Sequence, residues 1–284
     1  LSLTASIWGG MYVVSKYILD FIPPLTLVWL RFIIAFVVLY FILKIAEKKQ
    51  KKKATIRKKD WLLFAWIGFI GYFISITCQF IGTKLSDAHT GSLVTSATPA
   101  FMVIFAALIL KEKLTARRLL STIIATIGVI IVIGWDIEIG SYFIGTIILV
   151  GAAITWALLS IYVKIASIQF SSLVITTYAI FFSLFFITPF MIWELQAASI
   201  GTVNTYVILG VLYLGIVSTA GAFFLWNKGL ELLDASIGSL FFFFQPIVGS
   251  LLGWLLLNET LNSNFFIGGI LIICSVLITT FEKK

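Results

Sequence analysis

Residues 82–114 and 229–261 of this 284-residue chain are two versions of one stretch. Shifted by 147 positions, Gly82, Asp87, Ala88, Gly91, Ser92, Pro99 and Glu112 fall on Gly229, Asp234, Ala235, Gly238, Ser239, Pro246 and Glu259. Leucine matches count for little in so apolar a chain, but two acids and a proline at one shared spacing do not arise cheaply. The chain reads as a duplication, divided into residues 1–138 and 139–284. Its function is expected where the two copies meet.

Apolar runs of 18 or more residues recur from end to end, each long enough to cross a bilayer. With 61% hydrophobic and 11% charged residues and a mean hydropathy of +1.11, a soluble domain is excluded. The expected fold class is all-α: a polytopic membrane protein with ten transmembrane helices. They are placed over residues 1–19, 24–46, 61–82, 88–110, 117–134, 142–164, 172–193, 205–227, 235–257 and 263–281. Each corresponds to about 27–35 Å of helix. A chain that opens on Leu1 inside an apolar run is expected to have lost an N-terminal segment. A cleaved signal peptide is not expected, because that run continues into the multi-span pattern.

Charge sets an expected orientation. The net charge of +8 is concentrated at residues 44–59 and 111–118, two loops that fall on one side of the bilayer, as cytoplasmic anchoring requires. The acidic stretch Trp135-Asp136-Ile137-Glu138 falls opposite. Both termini are then cytoplasmic, in the cell (inner) membrane. Nucleic acid is not an expected partner; the lipid bilayer and a small-molecule metabolite are. Five spans per copy is an odd number, so the second copy enters the membrane upside down. Two inverted five-helix repeats with a site near the midplane are a device of secondary transporters. Asp87 and Asp234 are read as caps of the fourth and ninth helices, and Pro99 and Pro246 as mid-span kinks.

Other function classes find little support. There is no H-E-x-x-H, no phosphate loop and a single histidine, His89, read as a loop residue. An enzyme, a cofactor and a metal site are not expected. Cys78 and Cys274 read as small buried hydrophobes, and Asn258-Glu259-Thr260 as a repeat loop rather than a glycosylation site.

Trp8-Gly9-Gly10 with Lys16, then Pro24 and Leu30-Arg31-Phe32, resembles the opening of the EamA-type branch of the drug/metabolite transporter superfamily. Residues 85–128, with Pro99 and Glu112-Lys113-Leu114, are similar to that family's fourth and fifth helices. Residues 234–269, with Gln245-Pro246 and Asn258-Glu259-Thr260-Leu261, resemble their second-copy counterparts, and Gly215 to Gly221 with Trp226 resembles the eighth helix. Ser121, Cys274-Ser275 and the run Phe241 to Phe244 depart from the pattern. The resemblance implies a ten-helix carrier of small organic solutes, often amino acids and commonly exported. It also implies a central cavity lined by helices one, three, four, six, eight and nine.

Within that frame the candidate substrate-binding residues are Trp8, Tyr12, Gln79, Thr95, Thr98, Trp156, Tyr178, Trp226 and Gln245. The polar ones cluster around the two kinks, where side chains either bond between helices or face a wet cavity. Ser96 belongs to the same cluster. One copy carries Val-Thr-Ser-Ala before its proline and the other Phe-Phe-Phe-Phe, so one small polar wall and one aromatic wall are expected, suited to an amphipathic solute. Arg31, about 9 Å into its span, is either structural or a contact for an anionic group. Lys16 is read as an interfacial anchor, and Trp61, Trp135 and Trp193 as interfacial belt. No Asp or Glu falls in the middle third of any span, which favours uniport or exchange over proton antiport. A proton-coupled antiporter, a lipid scramblase and a non-transporting receptor remain alternatives, as do monomer and homodimer. Gly68, Gly71, Gly249 and Gly253 are candidates for helix packing within or between chains.

Overall fold

The computed structural model describes residues 1–50, 56–111, 115–133, 140–232, 240–258, 261 and 263–280. Glu112, Asp234, Glu259 and the acidic loop at 135–138 lie outside the described residues. All regular structure among the described residues is helical: α1 (Ser2–Ile18), α2 (Pro24–Gln50), α3 (Lys58–Leu85), α4 (Ala88–Ile109), α5 (Ala116–Ile133), α6 (Ser141–Ala166), α7 (Ser172–Ala197), α8 (Thr205–Leu232), α9 (Phe244–Leu257) and α10 (Ser263–Thr280). Among the described residues, six of these helices, α2, α3, α4, α6, α7 and α8, are long and apolar enough to span a bilayer. Of the ninth apolar run, expected as a full span from residue 235, the described part is a 3₁₀ turn at Leu240–Phe243 that leads into the α-helix from Phe244. Large apolar side chains such as Phe185, Tyr206, Leu256 and Ile270 cover the outside, as hydrocarbon surroundings demand. The chain is a multi-pass membrane protein.

The strongest packing joins helices that lie far apart in sequence. α2 runs along α7, α5 along α10, α3 along α6, and α9 against both α1 and α4. Each pair takes one helix from the first sequence copy and one from the second. Close approach depends on glycine at defined places. A Cβ on Gly9 would sit 2.6 Å from the Gln245 carbonyl oxygen, and one on Gly68 would strike the backbone of Ala179. Gly71 packs on Leu159 and Gly249 on Ser92, so these glycines serve contacts inside the chain.

Local chemistry fixes the helix ends and breaks. Asp87 caps α4 as expected, accepting from the Thr90 N–H at 2.8 Å. Pro99 does more than bend its helix. α4 stops at Thr95, turns at Ser96 and Ala97, and restarts at Thr98 with the proline in its first turn. Proline has no N–H to give the Thr95 carbonyl, and the Thr98 hydroxyl donates to that carbonyl instead, at 2.6 Å. Pro246 likewise stands in the first turn of α9.

Lys16, read as an interfacial anchor, donates its ammonium hydrogens to the carbonyls of Thr83 (3.1 Å), Lys84 (3.1 Å) and Ser86 (2.5 Å), closing the C-terminal end of α3. Lys164, 148 positions on, donates to the Leu230 carbonyl near the end of α8 at 2.9 Å. His89 is no loop residue but is buried in the first turn of α4. It meets Phe265 edge-on at 4.9 Å, with its Nδ1 3.3 Å from Asp87. Cys78 is half-buried, while Cys274 is exposed on the outer face of α10.

Candidate functional site

A cavity lies among helices of both copies. α1 supplies Trp8 and Met11, α2 Arg31, α3 Ser75, Ile76 and Gln79, and α4 Thr95 and Thr98. α6 supplies Ala152 and Trp156, α8 Phe223, the 3₁₀ turn Phe242, and α9 Gln245. The helices named by the family resemblance all contribute, and α2 joins them through Arg31.

Arg31 is fully buried, and it forms no ion pair among the described residues. Its Nε donates to Thr219 Oγ1 at 2.7 Å, and its second terminal nitrogen to Ser218 Oγ at 3.4 Å. Its first approaches Met11 Sδ at 3.9 Å. The guanidinium lies over Phe80 (4.9 Å) and Phe223 (5.7 Å), where the ring faces attract a cation. Hydroxyls and rings orient the charge without neutralising it. Ser218 and Thr219 lie in a stretch of α8, Tyr213–Gly221, wound as a π-helix; Gly68–Ser75 of α3 is wound the same way. Such widened turns recur at functional sites. Here the Thr219 hydroxyl reaches back five residues to the Leu214 carbonyl, and the Ser218 carbonyl accepts the Trp8 indole N–H at 3.2 Å.

A second part of the lining is a hydrogen-bonded polar wall. Thr95 Oγ1 donates to the Gly91 carbonyl at 2.8 Å and pairs with the Tyr12 hydroxyl at 2.7 Å. Gln79 Nε2 donates to Tyr12 at 2.5 Å, and Gln245 Nε2 donates to Thr95 at 3.0 Å. The aromatic wall is a cluster in which Trp8 touches Trp156 (5.3 Å), Trp226 (5.3 Å), Phe242 (5.9 Å) and Phe223 (6.0 Å).

The structure thus gathers Trp8, Gln79, Thr95, Thr98, Trp156, Gln245 and Arg31 at one cavity. Tyr12 stands one layer behind, as the bridge between Gln79 and Thr95. Trp226 also lies behind the lining, packed on Trp8 and on Phe242 (4.6 Å). Tyr178 is the exception. It is six residues into α7, about 9 Å from that helix's start, and packs on Trp61 (4.9 Å) and Phe64 (5.7 Å), away from the cavity. Trp61, read as interfacial belt, is therefore half-buried in an aromatic group. Sequence reasoning missed Met11, Ser75, Phe223 and the Ser218–Thr219 pair. The last lies inside the Gly215–Gly221 stretch that carried the family resemblance.

The profile of the EamA-like transporter family matches residues 1–134 and again residues 143–281. The chain is 27% identical over 288 residues to the "Uncharacterized transporter YetK" of Bacillus subtilis (strain 168), covering 100% of this chain and 86% of that one. It is 26% identical over 292 residues to the "Probable amino-acid metabolite efflux pump" of Escherichia coli (strain K12), covering 99% and 93%. A solved crystal structure of 20% sequence identity superposes with a TM-score of 0.68 over 98% of this chain and 94% of that one, which shows a shared fold.

Proposed function

The chain belongs to the EamA-like transporter family, and from that premise we propose that it is a secondary transporter exporting a small amphipathic metabolite, such as an amino acid, by alternating access. The observation that carries the reading is the cavity itself: a fully buried cation, a polar wall and an aromatic wall, drawn from both sequence copies. Ionisable groups inside a membrane bundle mark solute pathways by default. The two copies act as inverted repeats, and the site between them opens to either side in turn. Because the copies interleave, each moving body draws helices from both. Among the described residues the lining carries a single charged side chain, Arg31, and uniport or exchange is the transport mode of this reading.

The test is counterflow in liposomes reconstituted with the full chain. Vesicles preloaded with unlabelled neutral amino acids should accumulate the labelled ones saturably, with no change when a protonophore is added. Abolition by the protonophore would instead establish proton antiport. Movement of a fluorescent lipid without any solute flux would replace the carrier reading with a scramblase.

A further inference from the structure

Hydrogen counting around Thr95 fixes which way two cavity amides point. A threonine hydroxyl has one hydrogen, and Thr95 gives it to the Gly91 carbonyl. Tyr12 must therefore be the donor in its bond to Thr95, and its oxygen is left only as an acceptor. Gln79 can then meet Tyr12 only with its NH₂, and Gln245 can meet Thr95 only with its NH₂. Both glutamine carbonyl oxygens are turned out of the network. Each is buried and takes no hydrogen bond, although Gln245 is only 2% exposed and both residues line the cavity. Unpaired buried acceptors are costly and rare. These two come from opposite copies and border one space.

The opposite sign of group is also present. The Trp156 indole N–H lines the same cavity, is buried, and has no acceptor. Arg31 adds a guanidinium with no ion-pair partner among the described residues. The cavity therefore has an acceptor pole, made of two amide oxygens, and a donor pole, made of a cation and an indole.

We propose that Gln79 Oε1 and Gln245 Oε1 form a subsite for a primary ammonium, while Arg31 and Trp156 Nε1 take a carboxylate of the same solute. The substrate class is then a zwitterion with an apolar body that lies on Phe223 and Phe242. The proposal rests on the carrier reading above and deepens it. It excludes solutes that keep the body and lose either charged group. Such a solute leaves one pole desolvated without a partner, a large discrimination for a buried polar site.

Three probes sharing one body separate the poles: L-phenylalanine, 3-phenylpropionate and 2-phenylethylamine, compared by binding to the purified chain and by competition in counterflow. L-Phenylalanine should bind at least about tenfold more tightly than either analogue, as expected for losing a charge-assisted hydrogen-bonded group. In Gln245→Met the preference over 3-phenylpropionate should collapse to within about twofold, and in Arg31→Gln the preference over 2-phenylethylamine should do the same. A merely structural role would weaken all three probes together. Gln79→Met provides the second variant should Gln245→Met fail to fold. Equal binding of 3-phenylpropionate by the unmodified chain overturns the ammonium subsite, and equal binding of 2-phenylethylamine overturns the carboxylate subsite. No binding of L-phenylalanine also overturns the proposal. If another solute still shows counterflow, the carrier reading survives that loss; if only lipid moves, both fall.

Discussion

Trp8 and Trp156 meet edge to face, with ring centroids 5.3 Å apart and planes at 84°. They stand 148 positions apart, one in each sequence copy, yet they are held differently. Trp8 is fixed by its bond to the Ser218 carbonyl, whereas the Trp156 N–H is unpaired. An edge-to-face pair adds about 0.5–1.5 kcal/mol beyond the area it buries.

That difference predicts unequal outcomes for similar changes. Trp8→Phe should lower the apparent melting midpoint in detergent by a few degrees, since it also removes the buried indole bond to the Ser218 carbonyl, a net loss of about 0.5–1.5 kcal/mol. Trp156→Phe should leave the midpoint nearly unchanged and weaken solute affinity instead. Melting at one fixed scan rate, alongside counterflow, checks both.

Lys16 and Lys164 clamp helix ends at corresponding places in the two copies. Replacing either by Met removes charge-assisted bonds to carbonyls and should cost about 1–3 kcal/mol. Lys16→Met releases the carbonyls of Thr83, Lys84 and Ser86, and Lys164→Met releases that of Leu230 among its partners. The same melting assay ranks the two.

Gly68→Ala should destabilise by about 1–3 kcal/mol, because the new methyl meets the Ala179 backbone and α3 and α7 must separate. Gly151→Ala, in α6 with nothing within 4 Å of the new Cβ, should be neutral or slightly stabilising. Equal melting midpoints for the two variants would contradict the packing described for Gly68.

The proposed inversion of the copies makes a topological prediction. Lys84 lies in the last turn of α3 and Leu232 ends α8; both are exposed, and they stand 148 positions apart. In a variant lacking the native Cys78 and Cys274, a cysteine at 84 should react with a membrane-impermeant reagent from the opposite side to one at 232. Reaction from one common side would refute inverted repeats.

The helical stretches were legible because apolar run length reports directly on membrane crossing, and most cavity residues were legible because polar groups beside a proline are conspicuous in so apolar a chain. The contacts that orient them were not. Arg31 meets Ser218 and Thr219 across 187 and 188 residues, and a pair of small hydroxyl residues in an apolar helix carries no motif announcing that partner. Thr98 was conspicuous for a reason that is partly local, since its hydroxyl serves the carbonyl freed by Pro99. Tyr178 was misplaced because an aromatic hydroxyl on a helix does not reveal its depth until the helix ends and neighbours are known.

The long separation between Arg31 and its hydroxyl partners bears on how the protein is made. Translation at about 5–20 residues per second puts about 10–40 s between synthesis of the arginine and of the serine and threonine that hold it. A lone arginine at the centre of a bilayer costs about 2.5–3.5 kcal/mol on translocon scales. Until then Arg31, about 9 Å into its span, has only snorkelling toward the headgroups to satisfy its charge, and its two hydroxyl partners on α8 come with the second copy.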